Sequence, residues 1–176
     1  MRPIRLASWG MLLAMVALAA VTYAGLPDQI PTHIDLNGVA DRTAPKSVVS
    51  WFLLSGIAVF VLAFIDFLGS RLPRQPEMLN IPDKERLLAL PERFRGPVMR
   101  EAQLMVDLVA AGTMVILLLV QWEFVRVAAG ARGLGVAVVM VASIGLSVGL
   151  LLMVTRISAA VDRAHALWRE QGSPAA

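Results

Sequence analysis

The sequence predicts an all-α integral membrane protein, a four-helix bundle with an ordered extracytoplasmic loop between its first two helices, and three observations lead there. Of the 176 residues, 57% are hydrophobic and only 16% charged, and mean hydropathy is +0.70, beyond the apolar share of an ordinary soluble domain. Four segments are long and charge-poor enough to approach a bilayer span. Between the first two lies a polar, proline-punctuated insert, LPDQIPTHIDLNGVADRTAPKS, residues 26–47.

A spanning helix needs about 20 mostly apolar residues. Leu6 to Pro27 carries no charge between Arg5 and Asp28, Ser47 to Ile65 none between Lys46 and Asp66, and Gly133 to Thr155 none between Arg132 and Arg156. The third span is less clean. Its uncharged part, Leu108 to Trp122, is too short alone, so a helix from about Ala102 to Val125 is expected, carrying Asp107 and Glu123 near its ends. Met1 to Ala24 also has the basic start and apolar core of a secretory signal. Its apolar stretch exceeds a usual signal core, so it is read as a span.

Charge asymmetry sets the expected orientation. With the N-terminus cytoplasmic, Arg2, Arg5, Arg71, Arg74, Lys84, Arg86, Arg93, Arg95, Arg100, Arg156, Arg163 and Arg169 fall inside, twelve of the sixteen cations. Only Arg42, Lys46, Arg126 and Arg132 fall outside. Trp9 at an inner boundary, with Tyr23, Trp51 and Trp122 near the outer one, fits the same arrangement. A net charge of only +3, with cations beside apolar runs, argues against a nucleic-acid partner. The absence of Cys excludes disulfides, thiolate metal sites and Cys nucleophiles.

This divides the chain into a two-span unit at 1–70 containing the 26–47 loop, a basic cytoplasmic connection at 71–101, and a second two-span unit at 102–176 ending in an amphipathic tail. The connection contains five prolines, so no single helix crosses it. Asn80 and Asp83 around Pro82 mark a helix start. The following Leu87, Leu88 and Leu90, among Lys84, Arg86, Arg93 and Arg95, read as a basic amphipathic piece lying on the anionic inner leaflet of the bilayer. In the tail, Ile157, Ala160, Val161, Ala164, Leu167 and Trp168 recur at helical spacing, so the last span should continue as a helix into the cytoplasm. His165 on it reads as solvated. Ser143, Gly145, Ser147 and Gly149 form a small-residue face permitting close helix packing, within the chain or in a homodimer or with a membrane partner.

Two aspartates stand inside expected spans. Asp66 and Asp107 each lie roughly 8–9 Å within a cytoplasmic helix end, and intramembrane carboxylates are functional candidates by default. If they face each other, one could hold a proton. The plainer reading is that each reaches the headgroups or pairs with Arg71 or Arg100. Neither has the flanking pattern of an aspartyl protease. Glu123 and Arg126 read as a surface helix pair.

In the insert, Pro27 and Pro31 end the first span, and Asn37-Gly38 is a strong two-residue hairpin turn. A short hairpin would send Ile34 and Leu36 to an apolar face, with His33 and Asp35 on the other and Asp41 and Arg42 returning opposite. One histidine among carboxylates lacks the spacing of a zinc site, and no nucleophile stands beside it. No metal, cofactor or catalytic residue is assigned.

Leu26, Pro27, Asp28, Ile30, Pro31, His33, Gly38, Asp41 and Lys46 fall without gaps on the signature of the bacterial membrane family called domain of unknown function 1648, which the stretch resembles. Ile34 stands where that pattern has an aromatic residue and Asp35 where it has Asn. The same domain forms the N-terminal part of immunity and signalling proteins that protect bacteria from a sporulation-delaying toxin. The resemblance implies a protein of the bacterial cytoplasmic membrane that meets an extracytoplasmic peptide or envelope ligand. The second module of those immunity proteins, with its Arg-Asn and Gly-x-Arg-Thr-like signature, is not visible here.

The expected function is therefore a non-enzymatic binding, sensory or immunity-type membrane protein, with His33, Asp35, Asn37, Gly38, Asp41 and Lys46 as the ligand-binding set. The alternatives are a small proton-coupled transporter using Asp66 and Asp107, or a structural membrane subunit. A metal-dependent activity at the loop stands last.

Overall fold

The computed structural model describes residues 3–134 and 136–172, so Arg2, used above to set orientation, lies outside the described residues. Four long apolar helices and a short two-strand hairpin dominate it. In order they are α1 (Pro3–Tyr23), β1 (Gln29–Ile34), β2 (Ala40–Pro45), α2 (Val48–Arg71), the short α3 (Lys84–Ala89), α4 (Glu92–Ala128) and α5 (Val136–Gly172). Helices α1, α2, α4 and α5 are each long and apolar enough to cross a membrane, which makes this a multi-pass membrane protein. Protein covers little of their apolar windows, 22% in the first three and 6% in α5. Lipid must therefore solvate the rest.

Two helices outrun the expected spans. The tail of α5 continues past Thr155 as its periodicity predicts, whereas α4 starts at Glu92, well before Ala102, and runs through Pro97. A proline only five residues from a helix start forfeits one backbone bond close to the end. Burial of Phe94, Val98 and Ala102, at 7%, 0% and 0% exposure, outweighs that loss. At 37 residues α4 is about 55 Å long, far beyond a hydrocarbon core of about 30 Å.

The chain forms two compact units. The first comprises Met1–Phe64 and Ala110–Leu146. Its core gathers Ala19, Leu26, Ile30 and Trp51, with Tyr23, Phe52, Phe124, Val125 and Ala128 packed on them. Trp51 is buried, not an interfacial anchor, and its indole N–H donates to the Ala19 carbonyl at 2.9 Å. Ile30, at 1% exposure, carries the hairpin into this core.

The second unit comprises Ile65–Val109 and Ser147–Ala176. Leu72, Leu79, Ile81, Leu87, Leu90, Phe94, Val98 and Ala102 pack there with Ile157, Ala160, Val161 and Ala164 of α5. This bears on the expected inner-leaflet contact, because Leu87 and Leu90, at 0% and 1% exposure, turn their side chains to protein.

Polar contacts then fasten α3 to α5. Arg86 donates to Asp83 at 3.0 Å and to Asp162 at 2.7 Å, while His165, expected to be solvated, places Nε2 3.0 Å from the Arg86 carbonyl. The Ser158 hydroxyl and the Arg86 guanidinium hold the Asp83 carboxyl below its ordinary range, against a small opposing effect of burial. Arg95 donates to the Leu88 and Leu90 carbonyls at 2.7 and 2.8 Å, closing the C-terminus of α3.

Candidate functional site

The site begins with the path of the chain after α1. Strands β1 and β2 pair antiparallel, from Gln29 opposite Pro45 to Ile34 opposite Ala40, with irregularities on either side of His33. The turn differs from the expected two-residue form. The Gly38 N–H donates to the Asp35 carbonyl at 3.0 Å and the Asp35 N–H to the Val39 carbonyl at 2.8 Å, so the loop has three residues, Leu36 to Gly38. Gly38 sits at φ +77°, the left-handed position that closes such loops. Leu36 consequently lies in the turn at 77% exposure and not on an apolar face.

Asp35 organises this turn. Its Oδ1 accepts the backbone N–H of Asn37 at 2.9 Å and of Val39 at 2.8 Å, and its Oδ2 accepts the Asn37 amide at 3.2 Å. Either Asp or the Asn of the resembled pattern makes such a bond. The Val39 N–H chiefly, then Asn37 and the charge of Arg132, hold the Asp35 carboxyl below its ordinary value, against the effect of burial. The depressed folded value has a fixed sign. The ionised group's contribution is complete above the unfolded value of 3.8 and is lost as pH falls through the lower, folded value. We expect the Val39 amide resonance to titrate below pH 3.8 in the wild type and to show no such transition in Asp35→Asn, which keeps an acceptor without the charge.

The hairpin is fastened at both ends. At its base, the Lys46 ammonium donates to the Leu26 and Ala24 carbonyls at 3.1 and 3.3 Å and lies 5.1 Å from the centre of the Tyr23 ring. A cation just past the end of α1 also complements the helix dipole. At its tip, the Gly133 N–H donates to the Gly38 carbonyl at 2.9 Å, and the Arg132 Nε to the Asn37 carbonyl at 3.0 Å. The two backbones meet so closely that a Cβ on Gly38 would lie 2.4 Å from the Gly133 oxygen.

The receiving loop is itself built for this contact. Gly130, at φ +80°, ends α4, with the Ala131 N–H returning to the Arg126 carbonyl and the Gly130 N–H to that of Val127, both at 3.0 Å. That is a Schellman closure. Glu123 is not the surface residue expected, since it is only 6% exposed. Its Oε2 accepts the Leu134 N–H at 2.5 Å, Arg126 stands 3.5 Å from its Oε1, and Arg126 also donates to the Arg132 carbonyl at 3.1 Å. The sequence reading missed Glu123, Arg132 and Gly133 as members of the site.

Of the six loop residues assigned to a ligand, Asp35, Gly38 and Lys46 are thus engaged in holding the hairpin, and Asn37 lends its carbonyl to Arg132. The other two are displayed. His33 Nδ1 lies 2.5 Å from Asp41 Oδ1, with side chains 56% and 45% exposed, and Arg42 beside them is exposed. Among the described residues no three His, Asp or Glu side chains gather as a metal-binding group.

The remaining candidates lie elsewhere. Asp107 is 3% exposed and accepts the Gln103 amide at 3.3 Å, so it faces protein and does not reach for headgroups. Asp66 is half-buried. A Cβ built on Gly145 or Gly149 meets nothing within 4 Å among the described residues, so at these two glycines α5 makes no close helix contact.

Residues 10–59, from α1 through the hairpin into α2, match the family model described as domain of unknown function DUF1648. No curated protein matches the chain, and no solved structure does.

Proposed function

We propose, with the DUF1648 unit at residues 10–59 as premise, that this is a non-enzymatic sensory or immunity-type membrane protein whose hairpin faces the cell exterior and binds a peptide or envelope ligand. One observation carries the reading. The side chains that fasten the hairpin (Asp35 and Lys46, with Gly38 at the tip) are different from those it displays (His33, Asp41 and Arg42). A hairpin pinned at base and tip presents its exposed groups at fixed positions, which lowers the ordering cost of binding. Its two-strand sheet also leaves edges that an extended peptide can join by backbone pairing, with side chains reading the displayed groups.

A photoreactive residue in place of Arg42, activated in intact cells, should give a discrete peptide or envelope adduct that is lost in His33→Ala and Asp41→Ala while membrane insertion is unchanged. Labelling no different from that at a lipid-facing position such as Leu151, or labelling indifferent to His33 and Asp41, would remove the proposal.

A further inference from the structure

The two edges of the hairpin are not equivalent. The Lys46 N–H donates to the Asp28 carbonyl and the Asp35 N–H to the Val39 carbonyl, both at 2.8 Å, which marks a bonded pair at each end of the ladder. Bonded and unbonded pairs alternate between antiparallel strands. Pro31 opposite Thr43 and Ile34 opposite Ala40 therefore fall at unbonded positions, where main-chain groups point away from the partner strand. Among the described residues the sheet has two strands, so neither edge has a neighbouring strand. The β1 edge is broken in its middle, because Pro31 has no N–H and is buried on a cleft shared with Trp51 of α2 and Phe124 of α4. The β2 edge is intact. Thr43, exposed, and Ala40, half-buried, each turn both an N–H and a carbonyl outward.

At Ala40 this edge runs into an open hollow of about 580 Å³, wholly within the first unit, lined by residues 38–40 of the hairpin, Val127 of α4 and residues 130–132 after it. The bond from Gly133 to Gly38 stands across the tip, so a strand laid along β2 toward Ala40 ends in the hollow. Arg132 supplies its charge. The guanidinium is held through Nε on the Asn37 carbonyl, which keeps its Nη groups as a fork of donors for a second acceptor. The carboxylates of this region already have donors. Asp35 accepts the Asn37 and Val39 N–H groups, and Glu123 accepts the Leu134 N–H beside Arg126.

We propose that the β2 edge takes the C-terminal strand of an extracytoplasmic peptide, running antiparallel to β2, with backbone bonds at Thr43 and Ala40 and its terminal carboxylate on the Arg132 guanidinium. The inference rests on the reading of the hairpin as a peptide-binding element and names the edge, the direction and the end of the chain that it takes. Two observations select the occupant. Outward main-chain donors and acceptors call for an extended backbone, and a guanidinium where the edge stops calls for an anion at the chain's end. Thr43 and Ala40 are about 10 Å apart along an extended strand, so about the last four residues of the peptide make the contact.

The test incubates the full chain in lipid nanodiscs with two random hexapeptide libraries, identical except that one ends in a free carboxylate and the other in a carboxamide, and reads the retained peptides by mass spectrometry. Acids should be retained about ten- to a hundredfold over the matching amides, the range of a charge-assisted hydrogen bond. Arg132→Gln should erase that preference. Thr43→Pro, which removes an outward N–H at an edge position that tolerates proline, should abolish retention. A retained peptide methylated on alternate backbone nitrogens should lose binding in one phase and keep it in the other, a readout that needs no change in the protein. Equal retention of acids and amides, retention that survives Thr43→Pro, or indifference to the phase of methylation would overturn the assignment. An adduct at position 42 in cells, with no library peptide retained, would overturn this edge and leave the hairpin reading standing. Absence of both would remove the two together.

Discussion

Gly38→Val should detach the hairpin tip from the loop after α4 and lower the thermal midpoint of the purified protein, at an expected loss of about 3 kcal/mol or more. Two independent effects combine. A β-branched residue at φ +77° pays the left-handed penalty, about 1–2 kcal/mol. Its Cβ would also stand 2.4 Å from the Gly133 oxygen and 2.8 Å from the Gly133 carbonyl carbon, and backbone cannot move aside as a side chain can. The bonds from Gly133 to Gly38 and from Arg132 to Asn37 should both break. The Leu134 N–H offers a local readout, since it is held by the buried Glu123; faster hydrogen exchange at that amide in the Gly38→Val background is expected. An unchanged midpoint and exchange rate would mean that the tip does not dock.

Leu87→Ala is the second large effect, expected to cost about 2–5 kcal/mol, the range for truncating a fully buried leucine. The value discriminates between two environments. Were Leu87 lying on lipid headgroups, its truncation would weaken membrane contact but hardly change stability in detergent. Buried at 0% exposure among Leu90, Phe94, Val98 and the α5 residues Ile157 and Val161, it should instead leave a cavity. The sensitive measurements are the thermal midpoint in detergent and the rate of proteolysis between Leu72 and Leu90. A shift of less than a degree in the midpoint, with proteolysis unchanged, would restore the leaflet reading.

These two cases show what was legible in the chain and what was not. The spans were visible because lipid demands a long uncharged run whatever the neighbours do. The hairpin was visible because Asn37-Gly38 between prolines is a local signal. The length of its loop was not, because Asp35 decides it by accepting both the Asn37 and Val39 N–H groups, and alternation of residue types carries no trace of such a bond. Leu87, Leu88 and Leu90 among arginines look the same whether their apolar side meets lipid or protein. Only the tertiary partner, the tail of α5, separates the two. Glu123 and Arg126 satisfied the spacing rule for an exposed pair, yet the carboxylate serves a backbone N–H eleven residues later.

The fastening of the hairpin also has an order in time. Lys46 can grip the end of α1 as soon as the first two spans have left the ribosome, whereas the tip bond from Arg132 to Asn37 joins residues 95 positions apart. From the end of α2 at Arg71 to Arg132, at about 5–20 residues per second of synthesis, each nascent chain carries a half-closed cap for roughly 3–12 s. During that interval the tip is held only by its own turn, and proteases or chaperones on that side of the membrane meet a hairpin that the mature protein never shows them.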